Sequence, residues 1–84
     1  MYRKEIFCMR VKKLRKSANE QQQDLAEAIG ISQAGVSDIE NGRRTTSFEN
    51  LALICQHYNV TADYLLGLVD EPRPLSEAEK EGDL

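Results

Sequence analysis

The chain has 84 residues, with 11 Lys or Arg against 14 Asp or Glu, which gives a formal net charge of −3. From this length we expect one domain, without a second, ligand-sensing domain. We recognise no signal peptide and no run of about 18 apolar residues that could span a membrane, so the cytoplasm is the expected location.

The charged residues divide unevenly along the chain. Residues 1–47 carry nine Lys or Arg and six Asp or Glu, whereas residues 48–84 carry two and eight. Basic side chains are therefore concentrated in residues 1–47. A basic segment of this kind is suited to contacts with nucleic-acid phosphates. Ordinary solvated surfaces are also charged, so the motifs must decide what this asymmetry means.

The first two predicted elements are helices. Three apolar residues recur at the i, i+4, i+7 spacing of one helical stripe: Phe7, Val11 and Leu14. The segment around them is strongly basic, and Asn19 is suited to end it in a left-handed conformation. A second, short helix is predicted over about residues 22–29, followed by Gly30, which permits a sharp turn.

A third helix is predicted after Ser32, which is a good N-cap residue. It continues to about Glu40, with Val36 and Ile39 facing inward. Asn41 and the glycine after it end this helix.

Ser47 and Thr61 are the N-cap residues predicted for a fourth and a fifth helix. The fourth is expected to turn four apolar residues inward: Phe48, Leu51, Ile54 and Cys55. The fifth is short, ends at Gly67 and is expected to bury three: Tyr64, Leu65 and Leu66.

Residues 70–84 are rich in Asp, Glu and Pro, so we expect a mobile acidic tail after a folded domain of residues 1–69. The predicted fold class is all-α, a compact five-helix domain.

The sequence offers no support for enzymatic or metal chemistry. Cys8 and Cys55 are far apart, and neither has a Cys or His partner at a zinc-ligand spacing. We interpret both as small buried apolar residues, with a disulfide as the alternative. A nucleophile–base pair and a phosphate-cradling glycine loop are also missing, so we expect neither an enzyme nor a cofactor or metal.

Residues 22–41 have the pattern of a helix-turn-helix. Two helices that cross at roughly 90–120° need a small residue at the crossing, which Ala26 supplies, and Gly30 fits the turn between them. Val36 and Ile39, three residues apart, hold the second helix of the pair against the core. The other side of that helix is left free.

The free side of this helix has a distinctive composition. It carries four polar residues and one small residue: Gln33, Ala34, Ser37, Asp38 and Asn41. Gln can pair with adenine, Ala can touch a thymine methyl, and Asp can accept from a cytosine amino group. Ala34 and Asp38 fit an ordinary helix surface equally well, whereas the short polar groups as a set favour contact with DNA bases.

Residues 7–67 resemble the helix-turn-helix family of phage repressors and Cro, also called the xenobiotic-response-element type. The resemblance rests on three runs in the expected order: RVKKLRK, QQDLAEAIGISQAGVSDIENGRR and SFENLALICQHYNVTADYLLG. It implies a lambda-repressor-like fold of five short helices, formed around a helix-turn-helix of helices 2 and 3. It also implies binding to operator double-stranded DNA, usually as a dimer, with helix 3 in the major groove.

The resemblance implies roles for individual residues as well. The base-reading positions correspond to Gln33, Ala34, Ser37 and Asp38. The positions that contact the DNA backbone correspond to Gln22, Asn41, Arg43 and Arg44. Arg15 and Glu40 match a pair that joins helix 1 to helix 3, and we expect them to form a buried, hydrogen-bonded ion pair.

Two residues depart from the family pattern at the start of helix 2. Gln21 stands where many relatives have Ser or Thr, which are better caps. Glu20 stands where an apolar residue is common. We therefore expect the first turn of this helix to pack loosely.

Four apolar residues in and after the fifth helix exceed what so short a helix needs for its own packing, and they form the predicted dimer interface: Tyr64, Leu65, Leu68 and Val69. For Tyr64 and Leu68, completion of the core is the alternative. The sequence thus favours a repressor that binds an inverted-repeat operator as a homodimer. An antitoxin or another protein-binding module on the same fold is the alternative, with a toxin or an anti-repressor as its partner. The residues alone leave both open.

Overall fold

The structure is a computed structural model and describes residues 3–76. Within these residues five α-helices are formed: α1 (Lys4–Ser17), α2 (Gln22–Ile29), α3 (Gln33–Glu40), α4 (Phe48–Tyr58) and α5 (Ala62–Leu65). No strand occurs within residues 3–76, and the predicted all-α, five-helix class is confirmed. Residues 77–84, the last part of the predicted acidic tail, lie outside the described range.

The helix ends follow the local chemistry of the residues that flank them. Asn19 and Gly30 both adopt left-handed backbone conformations, with φ of 57° and 73°, and they end the turns after α1 and α2. The hydroxyls of Ser32 and Ser47 accept hydrogen bonds from the backbone N–H three residues later, at 3.0 and 3.1 Å. These caps fix where α3 and α4 begin.

The start of α2 is capped in a different way. The Oδ2 atom of Asp24 accepts a hydrogen bond from the backbone N–H of Gln21 at 2.8 Å. An acidic residue in the first turn also interacts favourably with the positive end of the helix dipole. Asp24 therefore compensates for the Ser or Thr that is missing before α2.

The core holds α2 and α3 together at their crossing. α2 packs on α3 and α4, while α1 packs on α3 and α5. Ala26 is only 1% exposed, as expected of a small residue at a helix crossing. The largest fully buried side chains come from all five helices: Val11, Leu25, Val36, Ile39, Ile54 and Leu65. Each contributes roughly 1.5–3 kcal/mol through burial, which fixes the position of α3.

Phe48 differs from its predicted place in the core. Its side chain is 91% exposed, so the predicted inward orientation is wrong. The fully buried residues of α4 are Ile54 and Cys55, about two turns further on, and the N-terminal end of the helix therefore projects past the core. Phe48 lines a groove of about 350 Å³ together with Phe7, Leu51 and other residues.

The segment after residue 69 also departs from the prediction. The backbone N–H of Thr61 donates to the carbonyl of Arg73 at 3.2 Å, and that of Leu75 donates to the carbonyl of Asn59 at 3.3 Å. Leu75 packs against the core and is partly buried. The folded body therefore extends to residue 76, because one apolar side chain and the backbone of the α4–α5 turn hold this segment in place.

The two cysteines lie in the interior, as their interpretation as small apolar residues predicts. Cys8 and Cys55 are both free thiols in buried positions, and the disulfide alternative is wrong. Burial raises the pKa of each thiol, which keeps both of them neutral. Within residues 3–76 no helix is long and apolar enough to cross a membrane.

Candidate nucleic-acid interface

The third helix has one buried side and one free side. Val36 and Ile39 are 0% and 1% exposed, and they press the helix onto the core. The residues at the predicted base-reading positions lie on the other side, where Gln33 and Ala34 are exposed and Ser37 and Asp38 are partly exposed. The helix thus presents short polar groups outward on a rigid support.

Hydrogen bonds on this free side are few and accessible to solvent. The side-chain amide of Asn41 donates to the hydroxyl of Ser37 at 3.1 Å. Arg43 forms an ion pair with Asp38 at 3.4 Å between Nη1 and Oδ1, with side chains 68% and 38% exposed. Exposed pairs of this kind contribute little to stability, so these side chains are available for other contacts.

The loop after α3 returns toward the same side. The backbone N–H of Arg43 donates to the carbonyl of Asp38 at 2.8 Å, and Gly42 adopts a φ of 75° that allows this reversal. Arg44 follows and lies beside Gly35, near the first turn of α3. Two adjacent guanidinium groups therefore flank the predicted base-reading positions.

The buried side of α3 is held by an ion pair with α1. The Nε and Nη2 atoms of Arg15 donate to the Oε2 and Oε1 atoms of Glu40 at 2.7 and 3.1 Å. The Arg15 side chain is 10% exposed and the Glu40 side chain 1%. The hydrogen bond to Glu40 raises the pKa of Arg15 above its usual value. This two-point contact fixes both the position and the rotation of the C-terminal end of α3.

Gln22 belongs to the same polar cluster. Its side-chain amide nitrogen donates to Oε1 of Glu40 at 3.3 Å, and the residue is half-buried at the start of α2. This contact ties the first turn of α2 to the last turn of α3. Gln22 therefore helps to hold α3 in place against α2.

Glu20 is a member of the cluster that sequence reasoning missed. Its carboxylate accepts a hydrogen bond from the Tyr58 hydroxyl and contacts Nε2 of His57, each at 2.7 Å. Its backbone carbonyl accepts from Nη1 of Arg15 at 2.7 Å. The expectation of a loosely packed first turn is therefore wrong, because the acidic side chain finds partners on α4 that an apolar residue could not use.

No local signal could have revealed these contacts. Glu20 and Tyr58 are 38 positions apart in the sequence, and the pair forms only because α2 packs beside α4. Burial, and then the hydrogen bond to Glu20, raise the pKa of Tyr58 far above its usual value. The phenol therefore stays neutral and remains a donor to the carboxylate.

The residues predicted to form a dimer interface separate into two pairs. Tyr64 and Leu65 are only 4% and 0% exposed and belong to the core of the single chain, so their predicted place on an interface is wrong. Leu68 and Val69 are 61% and 38% exposed. The difference arises because α5 ends at Leu65, and the chain beyond it turns out toward solvent.

Arg10 holds the exit from α5 in this position. Its guanidinium donates to the backbone carbonyls of Tyr64 and Val69, the latter at 2.7 Å. It also lies over the Tyr64 ring, with 4.3 Å between the guanidinium carbon and the ring centroid. These contacts tie the segment that carries the exposed Leu68 to α1.

Comparisons of the sequence with known proteins identify its relatives. The helix-turn-helix family model HTH_3 matches residues 11–65. The chain is 33% identical over 72 residues to the uncharacterized HTH-type transcriptional regulator YobD of Bacillus subtilis, covering 86% of this chain and 64% of YobD. It is 35% identical over 69 residues to the antitoxin PezA of Streptococcus pneumoniae, covering 82% of this chain and 42% of PezA. The chain therefore spans less than two-thirds of the length of either relative.

The fold is similar to that of a solved structure. The P22 c2 repressor protein, solved in complex with a synthetic operator, superposes with a TM-score of 0.69 at 27% identity. The match covers 71% of this chain and 91% of that one. The family match spans more than half of the chain, and it includes all of α2 and α3. The chain belongs to the Cro/C1-type helix-turn-helix family of DNA-binding transcription regulators, a family of regulators and not of enzymes.

Proposed function

We propose that the protein is a sequence-specific repressor that binds an inverted-repeat operator in double-stranded DNA as a homodimer. One observation carries this proposal. The free side of α3 presents short polar side chains, its buried side is fixed by the core and by Arg15, and Arg43 and Arg44 flank it. A rigid helix with a short, polar and unobstructed face is what the major groove accepts.

Base recognition is assigned to four residues on that face: Gln33, Ala34, Ser37 and Asp38. Gln33 is the first residue of α3 and is exposed, so its amide can reach a base edge or the neighbouring phosphate. Ser37 and Asp38 lie one turn further along. Their present partners are exposed side chains that DNA can replace.

Contacts with the DNA backbone are assigned to another four residues: Gln22, Asn41, Arg43 and Arg44. Gln22 begins α2 beside the end of α3, and Asn41 follows α3 directly. The two arginines add positive charge at the border of the predicted interface. Such contacts fix the orientation of the protein on DNA without reading its sequence.

The dimer is assigned to the exposed residues at the exit from α5, Leu68 and Val69. One recognition helix with four short side chains reads only a few base pairs. A two-fold dimer would place two such helices about one turn of DNA apart, roughly 34–36 Å. The similarity to the P22 c2 protein, a repressor bound to an operator, supports repression here. The cytoplasm is the proposed place of action.

Selection of bound sequences from random duplex DNA tests this function. We expect enrichment of an inverted repeat whose half-sites are centred about 10–10.5 base pairs apart, or a multiple of that spacing. Enrichment of an unrepeated site would contradict the dimer while leaving sequence recognition intact. No enriched motif at all would contradict the proposed function.

A second candidate is an antitoxin that uses the same fold. The similarity to PezA over 82% of this chain favours it, although the match covers only 42% of PezA. Co-expression with the protein encoded beside it distinguishes the two. A stoichiometric complex that neutralises a toxic neighbour would support the antitoxin, and a neighbour that neither binds nor is toxic would contradict it.

A further inference from the structure

Arg43 and Arg44 are adjacent, but their surroundings differ. The guanidinium of Arg43 is paired with the carboxylate of Asp38, which offsets part of its charge. Arg44 takes part in none of the ion pairs found within residues 3–76. The positive charge of Arg44 is therefore offset less by neighbouring carboxylates than the charge of Arg43 is.

Arg44 instead lies against Gly35, the third residue of α3. A β-carbon added to Gly35 would stand 3.1 Å from the Nη2 atom of Arg44. The same β-carbon would be 3.3 Å from Cδ1 of Ile31 and 3.4 Å from Oγ of Ser32. A β-carbon at position 35 would therefore require the Arg44 guanidinium, the nearest of these three groups, to move by a few tenths of an ångström.

The backbone gives no reason for glycine at this position. Gly30, Gly42 and Gly67 all have positive φ values, whereas Gly35 has an ordinary helical conformation. Alanine is favoured over glycine in helices because it loses less conformational freedom on folding. Glycine at position 35 is therefore intrinsically unfavourable for the stability of α3, and what it offers in return is closer approach of the neighbouring side chains, Arg44 the nearest of them.

We propose that Gly35 is a positioning residue, whose missing side chain lets the guanidinium of Arg44 lie along α3 and contact a DNA phosphate there. This inference rests on the proposed function, because it assigns Arg44 a phosphate of the bound duplex. It also ranks the two arginines. Arg44 supplies the larger part of the electrostatic contact, and Arg43 the smaller part.

A double-mutant cycle on DNA affinity tests the proposal. Gly35→Ala should weaken binding about five-fold in the chain that keeps Arg44, and Arg44→Ala should weaken it about ten-fold and lower the salt slope by about one. In the chain that carries Arg44→Ala, adding Gly35→Ala should have no further effect. The matched control is Arg43→Ala, in which the five-fold effect of Gly35→Ala should persist.

Thermal unfolding gives a second test that needs no DNA. Alanine at position 35 favours the helix but crowds the Arg44 guanidinium, so the gain in Tm should be larger in the chain carrying Arg44→Ala, by about 2–4 °C. Equal shifts in the two backgrounds would contradict the contact itself. This measurement also shows whether every variant is folded at the temperature of the DNA titrations.

The outcomes separate this inference from the function it builds on. If the unmutated chain binds no duplex, the proposed function fails, and the phosphate contact of Arg44 fails with it. If the unmutated chain binds but Gly35→Ala has no effect, or has the same effect without Arg44, only the positioning role is wrong.

Discussion

The two sides of α3 use the same kinds of polar groups in opposite ways. On the buried side, Arg15 and Glu40 meet in a two-point contact with side chains 10% and 1% exposed. On the free side, Arg43 and Asp38 meet at one point, 3.4 Å apart, with side chains 68% and 38% exposed. The first pair holds the helix in place, whereas the second leaves its groups available for exchange.

This difference shows how a small domain can support a recognition surface. Neither Gln33 nor Ala34 contributes to the core, so the free side can vary without loss of the fold. The buried pair cannot vary in this way, because a charge left without its partner in the interior is strongly destabilising. Stability and the proposed recognition are thus assigned to opposite sides of one eight-residue helix.

The largest effect that follows from this division concerns Glu40. Replacing it by alanine leaves Arg15 buried and charged without its partner, and should lower the free energy of unfolding by about 3 kcal/mol. Urea denaturation measures the change. The control is Asp38→Ala, which removes the acid of the exposed pair and should cost less than about 0.5 kcal/mol. Equal costs for the two variants would show that the two sides do not differ as described.

The next effect concerns Leu68 and the proposed dimer. Leu68→Glu places a charge on each of two surfaces that are expected to meet, and should weaken cooperative binding to a full inverted-repeat site about ten-fold, or about 1.4 kcal/mol. Binding to an isolated half-site should be unchanged. Met9→Glu is the control, because Met9 is equally exposed, at 60%, but lies on α1. A single subunit bound to the full-affinity site would contradict the dimer.

A smaller effect tests the extension of the fold to residue 76. Leu75→Ala should lower the free energy of unfolding by about 1 kcal/mol, less than for a fully buried leucine, because Leu75 is only partly buried. The exposed Glu71 in the same segment is the control, and Glu71→Ala should be nearly neutral. If Leu75→Ala were as neutral as the control, this segment would not contribute to the fold.

The smallest effect concerns Arg43. Arg43→Ala should weaken binding about three-fold on all duplexes alike and reduce the dependence of log K on log salt by about one. The reason is that a backbone contact carries no sequence information. Titrations on specific and unrelated duplexes at several salt concentrations measure both quantities. A loss confined to one sequence would instead make Arg43 a base-reading residue.

The helix pairing of this fold could be predicted because its determinants are local. Gly30 and Ser32 mark the turn and the start of α3, and the structure has α2 and α3 over residues 22–29 and 33–40 as expected. The apolar spacing of Val36 and Ile39 also indicated correctly which side of α3 is buried. Each of these signals acts within a few residues of the feature it specifies.

The errors arise where distant elements determine the outcome. Phe48 fits the apolar pattern of α4, but the pattern does not reveal that the helix extends past the core at that end. Leu75 lies in a polar segment, and only its contact with the folded body makes it part of the domain. Glu20 meets α4 across 38 positions of sequence, which no spacing rule describes. The roles of the residues on the free side of α3 remain predictions.

The most direct measurement is a comparison of the DNA sequences selected by the unmutated chain and by Gln33→Ala. If the free side of α3 reads bases, the variant should still bind, at a cost of about 1–3 kcal/mol on the preferred site, and should lose sequence preference at the positions that Gln33 contacts. The remaining positions of the motif should be unchanged. Identical motifs from both proteins would contradict base reading by Gln33, and the absence of any motif from the unmutated chain would contradict sequence recognition by α3.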